Sequence, residues 1–375
     1  MTVAAPKTLL ARGVGLCCLA LALGTWAAGP ERVASYDRDL WPESIDSPER
    51  FDRASRQEIL AFTRVLQRTP LDDADALIRF TGVKAPNQAS VKLWLEQSRQ
   101  RLLANYRAAG GSADSWTALL EDAQAPVADA RWQAAAEGFH ATYLYEQVRL
   151  AALFPAITSE IARLDESELT GDELPDRHFA LSFDDGPSAN QETEQLRQWL
   201  QGEGISAFFF VLGENLERRL KTKPAQSLNA LYAGQCLASH GYRHVSHQKL
   251  GAWQDSLERT RQLIDSVQPA GPATSLWFRP PYGQRNAELV AYLKAQDGRV
   301  VLWSIDSQDW NARLKPDAMQ DRLITLMLLW RKGMLLFHDI HPKARQVLPE
   351  LQRFVRAGGL TLERCQALVE PTSPR

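Results

Sequence analysis

From residue 178 onward the chain alternates short apolar runs with amphipathic segments, and this rhythm restricts the fold more than any other feature. The runs are FALSF (179–183), SAFFFVL (206–212), QCLAS (235–239), LWF (276–278), VVLWSI (300–305) and MLLF (334–337). Between them, 189–201, 253–267, 286–296 and 316–331 repeat apolar residues at helical spacing, as Leu196, Trp199 and Leu200 do. Strand and helix alternating at this interval predict parallel βαβ units with right-handed crossovers.

The polar residues decide how such units close. Asp184 and Asp185 follow the first run, His240 the third, Arg279 the fourth, Asp306 the fifth and His338 the sixth. In a closed βα barrel the carboxyl ends of all the strands open on one face, whereas an open sheet feeds its site from fewer strands at one switch point. Polar clusters on so many strand ends predict an α/β fold of the barrel kind.

Upstream the period is helical. Ile59, Phe62 and Leu66, then Val91, Leu95, Leu102 and Tyr106, then Trp132, Phe139 and Tyr143 recur at spacings of three, four or seven. A chain of 375 residues has room for two domains. The expected division is a smaller all-α domain over 28–164, a linker over 165–177 that holds the acidic stretch DESELTGDELPD, and the barrel over 178–371. Trp94, Trp116 and Trp132 sit at helical spacing and read as core rather than as a sugar platform.

The first 27 residues have the layout of an export signal: Lys7 and Arg12, then the uncharged GVGLCCLALALG, then small residues before a cut after Ala27. The apolar part is short for a bilayer span, and Leu16 before Cys17 argues against lipoprotein processing. Export to a bacterial periplasm or cell surface is expected, with no membrane contact beyond the signal. After the cut, Cys236 and Cys365 remain of four cysteines, and the sequence leaves open whether they pair or stay separate. A net charge of -2 gives no electrostatic case for nucleic acid.

Two stretches carry chemistry. In SHGYRHVSH, His240 and His244 are four apart, so one helical turn would set both imidazoles on one face at metal-binding distance. In LSFDDGP, Asp184 and Asp185 repel each other unless a cation lies near. One aspartate could bind a metal held with the two histidines while its neighbour stays free to take a proton; Gly186-Pro187 would break the strand so that both acids serve one site. Taken singly, the histidine pair also fits a structural role and DDGP an ordinary acidic turn.

Taken in order, FDDGP, HGYRH, RPPYG, DSQDW and LLFHD resemble the five motifs of the polysaccharide deacetylase domain, carbohydrate esterase family 4 or NodB homology domain, over about 178–371. The resemblance implies a distorted barrel of about seven βα units that hydrolyses N-acetyl, sometimes O-acetyl, groups on a glycan. It implies a divalent metal on Asp185, His240 and His244, most simply Zn2+ with Co2+ or Ni2+ as alternatives. Asp184 would be the base, Arg279 its ion-pair partner, and the Tyr282 backbone amide an oxyanion donor. His338 would be the acid, with Asp309 fixing its tautomer. Trp310 and Leu335 would line the slot for the acetyl methyl.

Each of these has a structural alternative: Arg279 a surface ion pair, Asp309 a turn, Trp310 and Leu335 core, His338 a buried histidine. Gly241 stands where relatives carry Ser or Thr, and Ser182 replaces a usual Thr. His247 and His341 are extra and read as surface residues, and Asp306 as a strand cap. The functional expectation is an exported deacetylase of an N-acetylated glycan; the alternatives are a hydrolase of another amide, such as a cyclic ureide, and a silent glycan-binding protein.

Overall fold

The computed structural model describes Met1 and residues 32–127, 129–153, 163–268 and 274–369. The export signal and its cut lie outside the described residues. Residues 32–153 form five helices, α1 (Pro48–Arg68), α2 (Ala74–Thr81), α3 (Gln88–Ala108), α4 (Trp116–Ala123) and α5 (Ala130–Leu153). Ser47, Asp73, Asn87 and Ser115 cap the first four by accepting from the amides of Arg50, Ala76, Ser90 and Ala118. These bonds satisfy donors that a helix start leaves without partners. Trp94 and Trp132 are buried in core, as expected.

The second part runs β1 (His178–Asp184), α6 (Glu192–Gly202), β2 (Phe208–Val211), α7 (Gly213–Leu220), α8 (Ala225–Leu231) and β3 (Cys236–Ser239). It continues through α9 (Trp253–Val267), β4 (Trp277–Phe278), α10 (Ala287–Lys294), β5 (Arg299–Val300), β6 (Ile305–Asp306) and α11 (Pro316–Trp330). It ends with β7 (Gly333–His338), α12 (Pro342–Ala357), β8 (Thr361–Glu363) and α13 (Cys365–Val369). The strand order is β5-β4-β3-β2-β1-β7-β6, every pairing parallel, with β8 beside the start of β1. Seven parallel strands curl into a half-barrel, which agrees with the barrel the polar pattern predicted and the distortion the resemblance implied.

The run VVLWSI is not one strand. Its first residue closes β5 on one edge of the sheet and its last opens β6 on the other. Residues 301–304 cross the seam between the edges, where Leu302 N donates to Leu169 O (2.7 Å) and Ser304 N to Met334 O (3.0 Å). An apolar run gives no sign of a change of pairing partner, because every residue in it is buried either way.

Nor is 165–176 an exposed tether. Leu169 bridges to Val301 beside β5, and Glu168, Leu169 and Leu174 are buried. Gly171 (φ 94°) passes so close to β7 that a Cβ there would lie 2.2 Å from Met334 N. The stretch reads as solvated because it is acidic, yet its central acid is neutralised by a buried arginine.

Strand period two divides the side chains. Ala180, Phe208, Phe210, Cys236, Ala238, Trp277 and Met334 pack together on one face. Leu181, Phe183, Phe209, Leu237, Leu335 and Phe337 pack against the helices on the other. Helix α11 joins that helical layer to α1, α3 and α5. Ser55 Oγ donates to Leu328 O (2.7 Å), Asn105 Nδ2 to Leu329 O and Trp330 O (3.1 Å each), and Arg322 pairs with Glu146 (2.7 Å). Cys236 and Cys365 form a disulfide between β3 and α13. Among the described residues, no helix is long and apolar enough to cross a membrane.

Candidate metal and catalytic site

Asp184 is the last residue of β1, in register with Phe210 of β2 and His338 of β7. Asp185 follows at φ 77°, a left-handed conformation that strand residues avoid. That turn at Asp185 itself, before Gly186-Pro187, lets two adjacent carboxylates face one site. The Asp185 backbone is tied down on both sides, its N–H donating to Phe210 O (3.1 Å) and its carbonyl accepting from Asn215 Nδ2 (2.7 Å).

His240 directly follows β3 and His244 comes after it in a bent loop, not on the helical turn expected from their spacing. Gly241 (φ 82°) makes the bend. The two rings lie 5.2 Å apart. Asp185 Oδ1 is 3.5 Å from His240 Nε2 and 3.7 Å from His244 Nε2. The three ligand atoms all lie within 4.8 Å of one another, and Asp185 Oδ1 is buried with no hydrogen-bond partner. His240 Nδ1 is 2.7 Å from the Arg279 carbonyl, which can only accept, so the proton is on Nδ1 and the Nε2 lone pair faces Asp185. An orphaned carboxylate oxygen facing two imidazole nitrogens fits a divalent cation.

Arg279, fully buried, donates through Nη1 to Asp184 Oδ1 and Ser182 Oγ (2.8 Å each). It also donates to the Val301 and Leu302 carbonyls, and its guanidinium lies 4.0 Å over the Phe210 ring. It is no surface residue. Burial pushes Asp184 up to about 6, against the opposing charges of Arg279 and His338 and with the help of Asp185. His338 presents Nδ1 to Asp309 Oδ1 (2.7 Å), while its backbone N–H donates to Asp309 Oδ2 (2.7 Å). Burial alone would lower the His338 pKa. The Asp309 charge and hydrogen bond, with the charges of Asp185 and Asp184, push it up to about 10.

Tyr282 is also left-handed (φ 61°, ψ 12°), and its ring stands edge-on to His244 at 4.5 Å. Pro280 and Pro281 have no N–H, so its amide is the first donor of the turn. Trp310 is an exposed indole beside buried Asp309.

Leu335 does not share the site. It packs with Leu181 and Phe337 against the helices, and by the same period Leu336 takes the face of His338. Counting two residues back from His338 finds Leu336, a signal present in the sequence. His247 is not a surface residue either. It is fully buried, with Nδ1 on Val245 O (2.9 Å) and Nε2 on Ser256 Oγ (2.8 Å), and burial lowers it to about 4. A Cβ at Gly241 would meet the His247 ring at 2.5 Å, which accounts for glycine at that position. His341 is partly exposed, its ring 5.8 Å from that of His338. Asp306 accepts from Gln308 N (2.7 Å), the capping role expected of it.

Residues 171–301 match the model of the polysaccharide deacetylase family. The chain is 30% identical over 207 residues to a bifunctional xylanase/xylan deacetylase of Cellvibrio japonicus, covering 53% of this chain and 28% of that protein. It is 28% identical to a peptidoglycan-N-acetylmuramic acid deacetylase of Bacillus subtilis, covering 52% and 40%. Among solved structures, a family 4 carbohydrate esterase from Streptomyces lividans in complex with acetate is 28% identical, covers 53% of this chain and 98% of that one, and has a TM-score of 0.42. The chain spans less than half the length of the two curated relatives. Asp309 and His338 lie beyond the matched residues, and it is the fold that brings them to Asp184. The match to the polysaccharide deacetylase family model is confined to residues 171–301, and the helical part before them stands outside it.

Proposed function

We propose that the protein is an exported, divalent-metal-dependent deacetylase that hydrolyses N-acetyl groups of an N-acetylglucosamine-containing glycan. The observation that carries this is the convergence of Asp185, His240 and His244 beside an uncommitted oxygen of Asp184, whose Oδ2 is 3.8 Å from His240 Nε2. Asp185, His240 and His244 would hold the ion; one oxygen with two nitrogens suits Zn2+, with Co2+ or Ni2+ also fitting. When bound, such an ion lowers the pKa of water and polarises an acyl carbonyl.

The side chains divide the remaining work. Asp184, with Oδ1 committed to Arg279, takes the proton of the attacking water at Oδ2. The water oxygen adds to the acyl carbon, and the Tyr282 amide donates to the carbonyl oxygen as its charge grows. His338, held with its proton on Nδ1 by Asp309, gives a second proton through Nε2 to the departing nitrogen. The C–N bond breaks, leaving acetate and the sugar amine. Leu336 and Trp310 line the approach to the acetyl methyl.

Export is supported by the layout of residues 1–27, and the Cys236–Cys365 disulfide suits an oxidising compartment such as the periplasm or cell surface. The test is acetate release from acetylated peptidoglycan, chitin oligomers and poly-N-acetylglucosamine by purified protein, before and after chelation and Zn2+ restoration. Release lost on chelation and regained with Zn2+ is expected. Cleavage of a small amide with every glycan untouched would replace this reading.

A further inference from the structure

Glu168 and Arg285 lie outside all five motifs, yet both side chains are fully buried and meet through two parallel bonds, Nε to Oε1 and Nη2 to Oε2, at 2.5 Å each. A buried ion pair contributes little net stability compared with apolar side chains of similar volume, because both charges lose their hydration. Its position gives a different reason for it. Arg285 also donates through Nη1 to Gly283 O (3.0 Å), the carbonyl directly after Tyr282. Tyr282 and Gly283 are consecutive left-handed residues, at φ 61° and 68°. A non-glycine residue in that conformation is strained and persists only where its surroundings enforce it.

On the other side of the pair, Glu168 is fixed to the sheet. Its Oε2 accepts from Leu164 N (2.7 Å), and Leu169 donates to Val300 O (2.9 Å) and accepts from Leu302 N (2.7 Å). The 164–171 segment is therefore a strut that runs from the barrel seam to the Pro280–Gly283 turn.

We infer that Glu168 and Arg285 are positioning residues that hold the Tyr282 turn, and with it the amide that faces the reacting carbonyl, against the seam of the barrel. The mechanical part rests on geometry alone; its consequence for rate rests on the deacetylase reading above. The same turn carries the ring that stands against His244, so the strut braces the site at two points.

The experiment compares the full chain with the double variant Glu168→Leu/Arg285→Met, which replaces the pair by apolar side chains of similar size, and with Arg285→Lys. Three quantities are read: thermal midpoint, amide hydrogen exchange over 280–286 with 178–184 as the internal reference, and kcat and KM for acetate release. The double variant is expected to keep the parent's midpoint while exchange over 280–286 rises about tenfold. Its kcat should fall about 10–100-fold with KM nearly unchanged, since the misplaced donor acts on the transition state. Arg285→Lys should show the same pattern at smaller amplitude. Unchanged exchange over 280–286 overturns the strut, and unchanged kcat with raised exchange overturns its role in positioning. A parent that releases no acetate from any glycan would overturn the deacetylase reading instead, while exchange would still decide the strut.

Discussion

Arg279 holds Asp184 through a 2.8 Å bond from Nη1 to Oδ1, both side chains buried, while the carbonyl of the same arginine fixes the tautomer of His240. One residue thus aligns the base with its side chain and a metal ligand with its backbone. It does so from the position directly after β4, where its own N–H donates to Ser239 O (2.9 Å) at the end of β3.

Removing this arginine should therefore cost stability as well as rate. Arg279→Met leaves the buried Asp184 without its cation, a loss of about 3–5 kcal/mol. Urea denaturation of the purified variant reads it directly. A midpoint equal to the parent's would show that the pair carries no such weight.

Asp184→Asn keeps the three ligands and removes the base. Metal content should stay at that of the parent, while kcat falls by about 10²–10⁴-fold, the range for losing a positioned proton acceptor. Metal analysis and acetate release on one preparation check both halves. Turnover at the parent's rate would dismiss Asp184 as the base.

His244→Ala should lose metal and turnover together. Its side chain is a third exposed, so the fold should tolerate the change. Titration with Zn2+ followed calorimetrically distinguishes the outcomes, and parent-like affinity would remove His244 from the ligand set.

The pH profile of kcat/KM should be bell-shaped, because activity requires Asp184 ionised and His338 protonated. Without metal these groups titrate near 6 and near 10. A dication beside them favours the carboxylate and disfavours the imidazolium, which moves both limbs to lower pH in the loaded protein. Asp309→Asn removes the charge that raises His338, so the alkaline limb alone should move further down. An alkaline limb that stays in place would detach Asp309 from the acid.

A truncated chain of residues 165–375 should not fold as a soluble barrel. Leu323, Leu326, Met327, Leu329 and Trp330 of α11 are buried between the barrel and the helices before it, and truncation would expose one side of them. Dye binding to exposed apolar surface and light scattering measure this, and a monodisperse, cooperatively folding fragment would contradict it.

Much of the fold could be read because its signals are local. Period two against period three to four marks strands and helices, and the acids, histidines and arginine at strand ends identify the chemistry by residue type. Leu336 was legible in the same way, by counting back from His338, whereas the assignment to Leu335 overlooked the alternation of a strand. What the sequence could not express depends on which distant segments touch. The acidic 165–176 stretch looks solvated until Arg285 and the barrel seam surround it, and VVLWSI looks like one strand until its ends pair with opposite edges of the sheet. His247 looks like a surface residue until Gly241 makes room for its ring. The sequence by itself determined the residue types of the site and the order in which strands deliver them. Tertiary structure alone decided the turn at Asp185, the bend between His240 and His244, and the pairing of Cys236 with Cys365, because burial and backbone handedness are set by neighbours far away along the chain.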